Sequence, residues 1–250
     1  LVIVVASGRL PRLARVTTVM VPVMVVGYLL LTAVVLISRI DLVPAALSLI
    51  ISDAFTGQSV AGGALGSVII MGVRRAAFSN EAGIGTEAMA HGAARTSIPV
   101  REGMVAMLGP IIDTLIVCTC TALVILVSGA WQNTDSNGVG LTAAAFETLF
   151  PGAGALLLAI IATFLSLSTV FTFWYYGSKC LGFLIGARYQ HHYLWWYALL
   201  VVIGAVISLP LVINIIDAMY ALMAIPTMTS ALLLAPKVNQ AARNYLRSAE

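Results

Sequence analysis

The sequence predicts an all-α polytopic membrane protein, and three observations carry that prediction. Of 250 residues, 60% are apolar and only 9% are charged, whereas a soluble domain is normally about 25% charged. Apolar segments of roughly 20 residues recur along the chain, each long enough to cross a hydrocarbon core of about 30 Å. The basic residues gather in alternate loops. A soluble core would need several all-apolar helices of that length inside one small domain. The chain opens LVIVVASGRLPRLAR, without Met and without the basic leader, short apolar core and small-residue cleavage site of a signal peptide. Leu1–Ala6 therefore reads as the tail of a span that starts upstream, and the chain is expected to be part of a longer protein.

Six spans follow in order: Val16–Ile37, an interrupted one over Gly63–Ala94, Gly103–Ser128, Gly152–Tyr176, Leu194–Leu209 and Leu211–Ala235. The last two form one apolar run, and Pro210 with the polar Asn214 and Asp217 places a tight turn between them. If Arg9–Arg15 is cytoplasmic, alternation puts Arg95–Arg101, residues 177–193 and the tail after Pro236 on the same side. Ten of the thirteen basic residues then lie inside, which supports both the span count and a cytoplasmic C-terminus. Arg39 falls outside, and Arg74 and Arg75 sit in the outer half of the interrupted span. Between the spans, Leu141–Phe150 and Pro44–Ser52 read as short outer helices. The stretch GQSVAGGALGS after the second of these reads as close helix packing. His191, His192, Trp195 and Trp196 lie at a span end, where an aromatic belt is expected rather than a metal site. Cys118, Cys120 and Cys180 lack zinc-ribbon or CxxC spacing and read as small packing residues.

The interrupted span carries the polarity. AFSNEAGIGTEAMAH (Ala77–His91) puts Asn80, two glutamates, a histidine and two glycines at membrane depth. A lone glutamate at a helix centre costs about 2.5–3.5 kcal/mol on insertion scales, so such residues face protein or a water-filled cavity. Each glycine weakens a helix by about 1 kcal/mol relative to alanine. The pattern predicts a first half-helix ending over Gly72–Ser79, an unwound Asn80–Gly85 and a second half over Thr86–Ala94, capped by Thr86. Unwound backbone survives at that depth only where protein or a cavity surrounds it. Its free N–H groups suit a carboxylate, and its free carbonyls suit Na+ or an ammonium group. The alternative is a kink satisfied by neighbouring helices, with no ligand.

The stretch Gly72–Gly129 (GVRRAAFSNEAGIGTEAMAHGAARTSIPVREGMVAMLGPIIDTLIVCTCTALVILVSG) closely resembles the alanine or glycine:cation symporter family. FSNEAGIG and IIDTLIVCTCTALVILVSG carry the likeness. It extends from about Leu10 to Ala235, through YYGSKC (Tyr175–Cys180) and NIIDAMYALMAIP (Asn214–Pro226). The resemblance implies a LeuT-type inverted-repeat fold and Na+-coupled symport of a small neutral amino acid, alanine or glycine. On that fold residues 1–62 end the first repeat, 63–235 form the second five-span repeat with its discontinuous helix at 63–94, and 236–250 form a cytoplasmic tail. The partners implied are the amino acid, the lipid bilayer and the missing N-terminal half of the transporter, with no nucleic acid and no organic cofactor.

The resemblance also assigns residues. Phe78, Ser79, Asn80, Glu81, Gly83, Ile84 and Gly85 match the family's unwound substrate segment, where backbone groups hold the amino acid and Phe78 and Ile84 close around a methyl-sized side chain. A Na+ site is implied at the Leu165 carbonyl and the Ser168 and Thr169 hydroxyls, three groups that share one helix face. Its remaining ligands are implied to come from the broken first span of the first repeat. The competing reading has both hydroxyls bonded back to carbonyls one turn earlier. Two departures stand out. STVFTFWYYGSKC (Ser168–Cys180) puts Phe173 where many members have Trp, and Thr172 where they have Gly. TEAMAH replaces SAPIAH after the break, so Glu87 inherits no family role. Asp113 and Asp217 are intramembrane acids, either structural acceptors or ion-linked groups. Arg74 and Arg75 are candidate guards of the outer entrance.

Three rivals to Na+ symport follow. One is a proton-coupled carrier titrating Glu81 or Asp113. A second is an intramembrane enzyme using His91 or Cys118 with Glu81, which the ten-residue separation of His91 from Glu81 disfavours. The third is a non-transporting fragment, since the first broken helix is absent. No covalent chemistry is needed for symport, and the chain is not expected to be an enzyme.

Overall fold

A computed structural model describes residues 9–55, 65–81, 83–133, 136 and 138–248. The reading of Leu1–Ala6, and most of the glycine-rich packing stretch, lies outside the described residues. The elements are α1 (Arg9–Ser38), α2 (Val43–Phe55), α3 (Leu65–Asn80), α4 (Thr86–His91) and α5 (Pro99–Pro110). A π-helical segment (Ile111–Cys118) continues α5 into α6 (Thr119–Ser128). Then come α7 (Ala130–Asn133), α8 (Val139–Leu149), α9 (Gly154–Ile185), a 3₁₀ turn (Ala187–His191), α10 (Tyr193–Val206) and α11 (Leu209–Arg247). The described residues divide into two compact units. One draws on Leu1–Leu65 and Ile116–Leu200, the other on Gly66–Leu115 and Val201–Glu250.

Among the described residues, four stretches are long and apolar enough to cross a membrane: Arg15–Ser38, Pro99–Ser128, Gly154–Ile185 and Leu209–Arg247. The interrupted span and the Leu194–Leu209 span are shorter, at 16 and 6 residues for the two half-helices and 14 for α10. Three of the boundary differences from expectation have a clear cause. The fourth span runs on past Tyr176 to Ile185, because LGFLI remains apolar until Gly186 stops it at φ 101°. The tail after Pro236 is helical to Arg247. Its Lys, Gln, Ala and Arg are good helix formers, and a proline removes only one donor from the ladder. The turn before α11 falls at Ile207–Ser208. Pro210 sits in the first helical turn, where its missing N–H is unneeded.

In the first unit, α1, α6, α8 and α9 share a core around Tyr28, Val35, Val124, Ala145, Phe146 and Leu158. The Tyr28 ring meets Phe146 edge-on at 6.4 Å, and its hydroxyl pairs with that of Thr121. Thr32, buried in the same apolar helix, satisfies its hydroxyl on the carbonyls of Tyr28 and Leu29, each at 3.0 Å. Phe171 and Trp174 of α9 form a second cluster with Val16 and Met20 of α1 and Tyr193 and Tyr197 of α10. There the Tyr197 hydroxyl donates to the Val170 carbonyl at 2.7 Å. The outward faces remain apolar, with Val23, Leu30 and Ile37 of α1 more than half exposed, as lipid-facing surface should be.

The two short helices expected between the spans are present as α2 and α8. Glu147, in the last turn of α8, fastens the start of α9: its carboxylate accepts the Gly152 N–H at 2.6 Å and the Ala155 N–H at 3.0 Å. These two bonds, Ala155 first, hold the carboxyl below its ordinary value of 4.5. A lowered carboxyl contributes stability that is complete above the ordinary value and is lost as pH falls through the lowered one. Glu147→Gln is therefore expected to melt at a lower temperature than wild type at pH 7. The two melting curves should converge as the pH falls below the ordinary value of 4.5 and through the lowered one, read by scanning fluorimetry on detergent-purified protein.

Candidate functional site

The second unit contains the break. Helix α3 runs through Asn80, one residue further than expected, and stops where Glu81 takes a left-handed φ of 51°. Gly83 and Gly85 are left-handed too, at φ 78° and 93°. Helical φ resumes at Thr86, and α4 ends at His91 rather than Ala94, where Gly92 closes it. Three left-handed residues within five positions end a helix outright, since a right-handed ladder cannot pass through them. Glycine supplies that conformation freely at two of the three.

Two neighbouring side chains hold the end of α3. Ser79 donates its hydroxyl to the Asp113 carboxylate, and Thr114 donates to the Asn80 amide oxygen at 2.8 Å. Asp113 and Thr114 are adjacent in the π-helical segment. A π turn alters the helical register locally, and such turns gather at functional sites. Asp113 is thus a hydrogen-bond acceptor at the edge of the break. From α11, Tyr220 sets its ring 5.6 Å from that of Phe78. Thr227 and Met228 lie against Gly85 and Gly83: a Cβ added at Gly85 would meet Thr227 Oγ1 at 3.0 Å, and one at Gly83 would meet Met228 Sδ at 2.7 Å. Ile84 is buried in the same segment.

The expected Thr86 cap is corrected. Gly85 occupies the cap position and no side-chain cap bond forms there from it. Thr86 is 2% exposed, and its hydroxyl has no hydrogen-bond partner among the described residues. Glu87 satisfies the backbone instead: Oε1 accepts the Gly83 N–H at 3.2 Å and Oε2 the Gly85 N–H at 2.9 Å. A β-branched residue following the last left-handed glycine gave no sign of this, whereas an acid in the first turn of a helix is a standing signal for backbone N–H groups. His91 pairs its Nδ1 with Glu102 Oε1 at 2.7 Å, a partner other than Glu81. Arg74 and Arg75 are exposed on α3, and Asp217 is half-buried on α11.

Leu165, Ser168, Thr169 and Phe173 belong to the first unit, on α9. Ser168 and Thr169 both donate to the Leu165 carbonyl, at 2.7 and 3.1 Å. The back-bonding pattern is therefore present, and it also gathers three oxygens at one point. Ser168 is buried and Thr169 exposed. Phe173 stacks edge-on with Tyr176 at 5.7 Å.

These features define a multi-pass membrane protein whose polar centre, in the second unit, is unwound helix backbone, the arrangement secondary transporters use to hold solutes. The chain belongs to the sodium:alanine symporter family, whose model matches residues 1–250. That family is one of transporters and not of enzymes. The chain is 40% identical over 230 residues to the sodium/alanine symporter AgcS of Methanococcus maripaludis, covering 91% of this chain and 51% of the relative. It is 33% identical over 244 residues to the probable sodium/glutamine symporter GlnT of Bacillus subtilis, covering 96% and 50%. It is also 34% identical over 192 residues to the sodium/proton-dependent alanine carrier protein of a Bacillus species, strain PS3, covering 71% and 43%. The chain spans about half the length of the curated relatives it matches.

Proposed function

We propose that the protein is a secondary active transporter of the LeuT-type fold. It couples Na+ entry to uptake of a small neutral amino acid, alanine or glycine, by alternating access, with its C-terminus in the cytoplasm. One observation carries this reading: the break at Glu81–Gly85 has backbone N–H groups directed at a carboxylate, here that of Glu87. An amino acid brings a carboxylate of its own. Phe78, Ser79, Asn80, Glu81, Gly83, Ile84 and Gly85 line the substrate, and Phe78 and Ile84 limit its side chain. Phe173, on α9, is assigned to substrate binding by the family likeness. Arg74 and Arg75 guard the outer entrance.

Na+ is held by the Leu165 carbonyl and the Ser168 and Thr169 hydroxyls. Hard oxygens suit this ion, and a hydroxyl that donates to a carbonyl can rotate to offer its lone pairs instead. The driving force suffices. One Na+ moving down 100 mV and a tenfold gradient releases about 3.7 kcal/mol, enough for roughly 500-fold accumulation at one-to-one coupling.

The test is radiolabelled alanine uptake by the full-length protein in proteoliposomes, with and without an inward Na+ gradient. Thr169→Ala is expected to raise the Na+ concentration for half-maximal uptake by about tenfold, the cost of one hydrogen-bond-strength ligand. Uptake driven by a proton gradient and indifferent to Na+ would replace Na+ coupling by proton coupling, as the name of the PS3 relative includes. Normal Na+ dependence in Thr169→Ala would remove that residue from the ion site. A preference for glutamine would enlarge the pocket and leave the transport class standing.

A further inference from the structure

We propose that Glu87 is a resident competitor for the substrate carboxylate, and that its displacement selects zwitterions over simple carboxylic acids. The proposal rests on the transport reading above and deepens it by giving the ligand class a gatekeeper. Glu87 spends both carboxylate oxygens on the break, one on the Gly83 N–H and one on the Gly85 N–H. Those donors sit on two left-handed glycines of the unwound segment, outside any helical ladder. In the next residue the Thr86 hydroxyl, 2% exposed, has no hydrogen-bond partner among the described residues. A buried hydroxyl without a partner carries a desolvation cost that persists only until something supplies the bond. A carboxylate bound to the break and a buried, unpartnered hydroxyl thus stand on successive residues at the start of α4.

The exchange follows from charge. A substrate carboxylate that takes the two amides drives Glu87 off them. The displaced Glu87 is then a charged group at membrane depth, which is costly unless it is paired. An α-amino acid brings its own solution, since its ammonium group can receive the freed carboxylate. Propionate, which matches alanine in carbon skeleton but lacks the ammonium, offers Glu87 nothing. It would have to bury two carboxylates where one was satisfied. Glu87 therefore costs an amino acid little and excludes its des-amino analogue.

Glu87→Gln separates this role from simple fastening. Glutamine has one acceptor oxygen, so it holds at most part of the pair of amides and carries no charge. The measurement is displacement of radiolabelled alanine by propionate from the purified full-length protein in detergent, which requires binding but no transport. Propionate is expected to displace alanine from Glu87→Gln at about one-tenth of the concentration that wild type needs, or less, as expected for losing a charged competitor. Glu87→Asp keeps the charge on a shorter stem, so it should still exclude propionate while its alanine affinity shifts.

Propionate that is equally inert against wild type and Glu87→Gln, with alanine binding retained, overturns the proposal and leaves Glu87 as a backbone fastener. If Glu87→Gln does not fold, admission of propionate by Glu87→Asp, or an alanine affinity identical to wild type in that variant, overturns it as well. A wild-type protein that binds neither alanine, glycine nor glutamine overturns the parent reading, a result distinct from either of these.

Discussion

Asp113→Ala is expected to lower the ratio of maximal uptake to half-saturating alanine concentration by about 10- to 100-fold, the equivalent of losing one hydrogen bond to a charged acceptor. Asp113 accepts the Ser79 hydroxyl at the last turn of α3, where the chain is about to leave its helix. Without the carboxylate, Ser79 can bond back to a carbonyl of its own helix, as serines in spans do. The end of α3 is then free to fray or extend, and the break loses its fixed start. Thr114→Val removes the neighbouring neutral bond to Asn80 at 2.8 Å and should cost less, about fivefold. Asp113→Asn keeps an acceptor oxygen and should also fall less than alanine does. The informative variant is Asp113→Ala combined with Ser79→Ala. Deleting both partners also removes the hydroxyl that would bond back, so the double variant should transport better than Asp113→Ala alone. Uptake assays paired with membrane immunoblots separate this outcome from loss of protein. Wild-type uptake by Asp113→Ala would show that Asp113 does not position the break.

Much of this architecture was legible in the sequence, for reasons that differ from element to element. The apolar runs and the Asn-Glu-Gly cluster marked the helices and the break, because burying polar backbone in lipid leaves few solutions. The exact ends were less legible. Ile185 and Arg247 extend their helices because nothing in LGFLI or in the Lys-Gln-Ala-Arg tail stops them before Gly186 and Ser248. The π-helical segment was invisible, since Ile111–Cys118 reads as ordinary apolar helix and only Asp113 stands out in it. The partners of the break were least legible. Tyr220, Thr227 and Met228 lie more than 130 positions along the chain from Phe78, Gly85 and Gly83, which they pack against, and no local pattern connects them. Glu87 was legible as a first-turn acid but not as the ligand of two glycine amides. That depends on a backbone path which only the left-handed φ values define.

Gly85→Ala is expected to be the more damaging of the two glycine substitutions in the break, although Gly83→Ala brings its new atom closer to a neighbour. Both positions are left-handed, so each alanine bears a backbone penalty of about 1–2 kcal/mol. The difference lies in what the added methyl meets. At Gly83 it meets Met228 Sδ at 2.7 Å, part of an unbranched side chain with three rotatable bonds that can swing aside. At Gly85 it meets Thr227 Oγ1 at 3.0 Å, with Thr227 Cγ2 behind it at 3.7 Å. Thr227 is β-branched and stiff within a helix, and its hydroxyl is already committed to the Met223 carbonyl at 2.8 Å. Relief there requires breaking that bond or shifting α11. Gly83→Ala should therefore lose roughly 10-fold in alanine affinity, and Gly85→Ala about 100-fold or more, taking about 1.4 kcal/mol per factor of ten. Adding Thr227→Ala to Gly85→Ala should recover the steric share and leave the backbone share, so the double variant should match Gly83→Ala. Isothermal titration with alanine reads each step on purified full-length protein. A double variant as weak as Gly85→Ala alone would place the whole cost in the backbone, and equal losses for the two single variants would mean that Thr227 yields as readily as Met228.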